Sequence, residues 1–115
     1  MDNKTISWVS YLTIIGWIIA LVKYNEIPEA ERASLPRFHL RQSFGIMALG
    51  FLVYVLARVI LYSVFAFWRF YSLVWVIDLG LFVLWIIGLI AAINGEEKKV
   101  PLLGESFQKW FTFVK

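Results

Sequence analysis

A chain of 115 residues that is 61% hydrophobic, 18% aromatic and 17% charged, with a mean hydropathy of +0.75, lacks the polar surface of a water-soluble domain. Its surplus apolar side chains must face lipid or a partner. The same composition excludes disorder, a fibrous repeat and a disulfide scaffold; the absence of cysteine and a single histidine remove thiolate and His-rich metal sites, and a dispersed net charge of +3 does not point to nucleic acid.

The first candidate element is the run of eighteen uncharged residues from Thr5 to Val22. As one helix over about 5–24, rising about 1.5 Å per residue, it matches the hydrocarbon thickness and predicts a first membrane span. The run is too long for a signal peptide, Asp2 dilutes a basic start, and no A-x-A pattern follows, so the helix is expected in the mature protein.

From Lys23 to Arg41 the chain is polar, with Glu26, Glu29, Glu31, Arg32, Arg37, Pro28 and Pro36, and reads as a water-exposed connection. Apolar segments over about 41–65, broken by Arg58, and 70–94, broken by Asp78, predict two further spans. The short Ala66–Arg69 turn between them makes an antiparallel hairpin. Asn94-Gly95 reads as a helix stop, followed by Glu96-Glu97-Lys98-Lys99 and Val100-Pro101 at the surface.

The last segment, about 104–114, places Phe107, Trp110, Phe111 and Val114 at i, i+3, i+4 and i+7, opposite Gln108, Lys109, Thr112 and Lys115. A helix with that face is expected to lie flat in the membrane interface, the alternative being packing against the bundle or a partner. The fold class expected is thus an all-α integral membrane protein, one domain over 1–115, with three transmembrane helices and a short C-terminal amphipathic interfacial helix.

With three crossings, the first loop and the C-terminal tail share one side and carry eight Lys and Arg, against Lys4 and Arg69 on the other. The positive-inside rule then puts the N-terminus outside and the C-terminus in the cytoplasm. Phe65, Phe67, Trp68, Phe70, Tyr71 and Trp75 near the outer turn, and Tyr24, Phe38 and Trp110 at the inner boundary, fit aromatic belts.

Arg58 and Asp78 each lie ten residues from Trp68, hence at equal depth in the hairpin. The expectation is an ion pair, more often structural than functional, with a proton or ion path through Asp78 as the sharper reading; Arg58 can also snorkel. Arg37 and Arg41, at i and i+4 after the helix-starting Pro36, present two guanidinium groups to anionic lipid headgroups or an acidic partner, or simply orient the helix. His39 is either a polar tip or a titrating switch.

Small residues at Gly16 and Ala20, at Gly45, Ala48 and Gly50, and at Gly80, Gly88 and Ala92 permit close helix contact, within the chain or between copies. Ser43 stands one turn from His39, but no third orienting group or oxyanion element accompanies the pair, and no phosphate-binding Gly-rich loop is present. The chain is therefore not expected to be an enzyme, and no cofactor is expected.

Arg37-Phe38-His39-Leu40-Arg41-Gln42-Ser43, taken with Leu84 to Glu96 and Val100-Pro101-Leu102, resembles the bacterial Tic-like family of small membrane proteins over about Ile6 to Phe111. That family is a domain-of-unknown-function group related to a small component of the chloroplast inner-envelope import translocon. The resemblance implies a three-helix bacterial inner-membrane protein with Phe38, His39, Arg41, Gln42, Asn94, Gly95 and Pro101 at the cytoplasmic face. It implies no activity. The function expected is a non-enzymatic accessory subunit of an inner-membrane complex, in the context of protein translocation or insertion. The alternative is a homo-oligomeric transporter or channel using Asp78, and a third reading is a sensor of anionic lipid. Partners expected are membrane lipids, including anionic ones, and protein subunits or further copies of the chain.

Overall fold

The computed structural model describes the backbone of residues 2–63 and 67–115, and side chains outside 60–71. The described residues form α1 (Asn3–Val9), α2 (Ile14–Asn25), a 3₁₀ turn (Glu29–Glu31), α3 (Ser34–Ser63), α4 (Phe67–Ile93) and α5 (Gly104–Trp110), with no strand among them. The molecule measures 54 × 22 × 22 Å.

The first expected span is not one helix. Asp2 caps α1, its carboxylate accepting from the Thr5 N–H at 2.7 Å. After Val9 the chain turns, and Thr13, in extended conformation, caps α2 by accepting the Gly16 N–H at 3.2 Å. Helices of 7 and 12 residues reach only about 10 and 18 Å, against about 30 Å of hydrocarbon.

The two pieces also run in opposite directions. Lys4 lies against Gly95 at the end of α4, whereas the Tyr11 ring lies against Gly88, about two turns back along the same helix. The chain then returns: the Trp17 indole donates to the Leu40 carbonyl at 3.0 Å, and the Tyr24 hydroxyl accepts from Arg37 near the start of α3. The segment is therefore a helical hairpin, and Asn3 lies at the same end of the molecule as the end of α4 and the C-terminal tail. The three crossings from which opposite placement of the termini is expected are thus not present as three long helices.

Two helices remain long and apolar enough to cross a membrane. α3 starts at Ser34, seven residues before the expected boundary, because Pro36 falls in the first turn, where an absent N–H costs no hydrogen bond. Much of the expected polar connection is therefore helix. α4 ends where expected: Gly95 adopts φ +73° and Glu96 N–H donates to the Ala91 carbonyl at 2.8 Å while Gly95 N–H donates to Ala92, a Schellman stop. Of the expected Ala66–Arg69 turn, residues 67–69 already belong to α4, so that helix starts three residues before the expected position 70, and residue 66 lies outside the described residues.

The core sits in the half of the α3–α4 hairpin nearest Ser34 and Ile93. There Ile6, Val9, Trp17, Ala20, Tyr24, Leu40 and Val114 form one buried cluster, and Tyr11, Ile46, Ala92, Val100 and Phe107 another. Among the described residues of the other half, large apolar side chains lie open: Phe51, Val59, Trp75 and Val76 are each more than half exposed. α1 and α2 are too short to clothe it.

Candidate functional site: a buried polar cluster at the base

α1, the start of α3 and the end of α4 converge on His39, which is fully buried. Its Nε2 lies 2.7 Å from the Glu96 carbonyl oxygen, which can only accept, so Nε2 carries the proton. Nδ1 is then an acceptor, and the Tyr11 hydroxyl donates to it at 2.8 Å. The Gly95 stop is what aims the Glu96 carbonyl at the ring.

Deeper, Ser43 Oγ lies 2.7 Å from the His39 carbonyl and 3.0 Å from Ser10 Oγ, whose own hydroxyl donates to Ser7 O at 2.6 Å. The Trp85 indole donates to the Tyr11 carbonyl. Gln42 ties in the tail, donating from Nε2 to Gly104 O at 2.6 Å and accepting Val100 N–H at 3.2 Å. Among the described residues every buried side-chain nitrogen and oxygen has a partner. At the chain reversal itself, the Tyr11 N–H donates to the Trp8 carbonyl and the Leu12 N–H to the Val9 carbonyl, so these backbone groups are paired within the protein.

This arrangement revises the surface expected for the motif. Phe38, His39 and Gln42 are buried, Arg37, Arg41 and Gly95 are partly buried, and only Asn94 and Pro101 are exposed. The polar motif faces inward because the turn between α1 and α2 and the tail supply its partners. Both imidazole nitrogens are engaged by Tyr11 and Glu96, so neither is directed at Ser43 as a base.

The tail does not lie flat with the expected face outward. α5 ends at Trp110; Phe107 packs into the space above Gly45, Phe111 against Phe44 at a ring separation of 4.8 Å, and Val114 is buried beyond the helix end. Only Trp110 of the four points outward, 66% exposed. Arg41 fastens this return, donating from Nε and Nη2 to the Val114 carbonyl at 3.1 and 2.8 Å, while Gln108 donates to the Phe38 carbonyl.

Arg58 and Asp78 do not form the expected ion pair; the guanidinium instead lies 5.0 Å from the centre of the Tyr54 ring, and both residues are exposed. Equal depth does not make two residues face one another. Val53 and Ala57 are the partly buried positions in this part of α3, and Arg58 is turned about 100° from Ala57.

Sequence reasoning missed Tyr11, Ser7, Ser10, Trp17 and Trp85, and read Tyr24 only as an interfacial aromatic. The available signal was Ser7, Ser10 and Thr13 at three-residue spacing inside an apolar run, a pattern a lipid-facing span has no use for. Comparison of the chain with protein-family models, curated proteins and solved structures finds no match.

Proposed function

We propose that the chain is a non-enzymatic accessory subunit of a bacterial inner-membrane complex, docking through its membrane-embedded flank. The observation that carries this reading is the division of the molecule. The base is densely packed with its buried polar side chains internally satisfied, while the described side chains of the hairpin's far half are mostly apolar and exposed. Where α1 turns back, Leu12, Ile14, Phe44, Met47, Phe51 and Trp85 border a groove of about 610 Å³ open to that flank. A contiguous apolar surface beside a rigid ledge suits a partner's membrane segment.

Nine of the eleven Lys and Arg residues lie toward the base, leaving Arg58 and Arg69 in the hairpin beyond it. The positive-inside rule then favours a cytoplasmic base carrying both termini. The resemblance to the bacterial Tic-like family supplies the context of protein translocation or insertion. Extraction in mild detergent or lipid particles, followed by mass spectrometry, should recover a second protein at fixed stoichiometry; recovery of single copies surrounded by lipid alone would end this reading.

A second reading, a homo-oligomeric transporter or channel, is favoured by one observation: Asp78 is exposed on an apolar helix and lacks an ion-pair partner among the described residues. A carboxylate there requires a cation, a proton or an aqueous path. Asp78→Asn in liposomes should abolish an ion or proton flux on this reading and leave none to abolish on the first.

A further inference from the structure

We propose that the cleft where α3 begins, beneath Arg37 and Arg41, is a binding site for a phosphate group, presented by an anionic phospholipid or by a soluble phosphate compound. The site needs no protein partner and is independent of the accessory-subunit reading.

The cleft measures about 370 Å³ and is lined by Glu29, Arg37, Arg41 and Lys115. Its guanidinium groups are held in place by buried or fixed neighbours. Tyr24, fully buried, accepts from Arg37 Nε at 3.0 Å through its hydroxyl and carries Arg32 5.1 Å from its ring centre. Arg41 is clamped by the Val114 carbonyl and by Gln108 O at 3.4 Å.

What remains unspent is cationic. Arg37 Nη1 and Nη2 make no hydrogen bond among the described residues, and neither the Arg37 and Arg41 guanidinium groups nor the Lys115 ammonium forms an ion pair; Glu29, the one acidic side chain in the lining, pairs with none of them, and the main-chain oxygen of Lys115 is taken by Arg32 Nη1 at 3.0 Å. The electrostatics of α3 add to the excess. The N-terminus of this 30-residue helix has no acidic residue in its first turn and instead carries Arg37 close to its positive end, against the usual dipole preference. A bound anion removes the conflict, and a phosphate offers several acceptor oxygens in the planar spacing that a guanidinium fork reads. The position fits a lipid headgroup, since the cleft opens at the base where the apolar part of α3 starts.

The test uses the full chain, delipidated in neutral detergent and titrated with phosphatidylglycerol or phosphatidylcholine of identical acyl chains, with complexes counted by native mass spectrometry. Phosphatidylglycerol should be retained over phosphatidylcholine. Arg37→Gln, which can still donate to the Tyr24 hydroxyl, should weaken it about tenfold, whereas Glu29→Gln should tighten it by removing the opposing carboxylate. Lys109→Gln, which removes an ammonium paired with Glu105 at the surface, should leave binding unchanged. Competition by inorganic phosphate that displaces the lipid supports the site and assigns it to a soluble ligand. Equal retention of the two lipids with no phosphate binding overturns the proposal, as does equal weakening by Arg37→Gln and Lys109→Gln. Glu29→Gln keeps the test decisive if Arg37→Gln does not fold, because Glu29 takes part in no ion pair that folding relies on; no tightening in that variant then counts against the site.

Discussion

His39 joins three separate stretches of chain through one ring: its own helix, the Tyr11 hydroxyl before α2, and the Glu96 carbonyl after the α4 stop. Replacing it with Leu fills similar space but leaves a buried hydroxyl and a carbonyl without partners, each costing about 1–3 kcal/mol. His39→Leu should therefore lower the thermal midpoint in detergent markedly, whereas Tyr11→Phe, which frees only the imidazole acceptor, should cost less. Equal and small shifts would show that water replaces these contacts. Leu102 makes the opposite case. It is 99% exposed and holds φ +69°, a conformation costing a non-glycine residue roughly 1–2 kcal/mol, and it makes no packing contribution to offset that. Leu102→Gly should raise the midpoint or leave it unchanged; a fall would mean that the exposed side chain is held by something outside the chain. Neither role was legible in the sequence. A lone histidine beside two arginines reads as a surface patch, and only the fold reveals that Tyr11 and Glu96 arrive to bury it.

Among the elements, the stop at Asn94-Gly95 and the two long apolar helices were readable because local chemistry decides them: a glycine able to take positive φ, and uninterrupted apolar runs. The first helix was misread because hydropathy weighs length and not what polar residues do within it. Ser10 and Thr13 are mild on any apolar scale, yet at the reversal Ser10 donates to the Ser7 carbonyl and Thr13 accepts the Gly16 N–H. The small residues carry a similar lesson, since spacing alone could not separate glycines used inside the chain from those left open. A Cβ on Gly45 would stand 2.4 Å from the Phe107 ring, while one on Gly50 would meet nothing within 4 Å. Gly45→Ala should displace α5 and destabilise by about 1–3 kcal/mol; Gly50→Ala should be neutral or stabilising by up to about 1 kcal/mol. Paired thermal denaturation in one detergent reads both. A Gly50→Ala variant that folds normally but no longer assembles would instead place that open position in an interface.

For the whole molecule, the deciding quantity is how many times the chain crosses. A continuous helix over Thr5–Val22 would separate the two termini by the membrane, whereas the helical hairpin keeps Asn3 and Lys98 at one end, with Lys4 beside Gly95. Reversal is favoured only while the polar groups of the turn stay paired, because a polar backbone group facing hydrocarbon costs several kcal/mol. Here the Tyr11 carbonyl is taken by Trp85, the Tyr11 N–H by the Trp8 carbonyl at 3.1 Å, and the Leu12 N–H by the Val9 carbonyl at 3.1 Å. The chain contains no cysteine, so single substitutions report accessibility without background. Asn3→Cys and Lys98→Cys should react with a membrane-impermeant thiol reagent from the same side of sealed vesicles, the cytoplasmic one. Labelling from opposite faces would restore three crossings. A Trp85→Phe background sharpens the measurement, because removing the donor to the Tyr11 carbonyl weakens the covered turn without touching either labelled position. If reversal depends on that cover, Asn3→Cys in this background should begin to label from both sides, while Lys98→Cys stays on one.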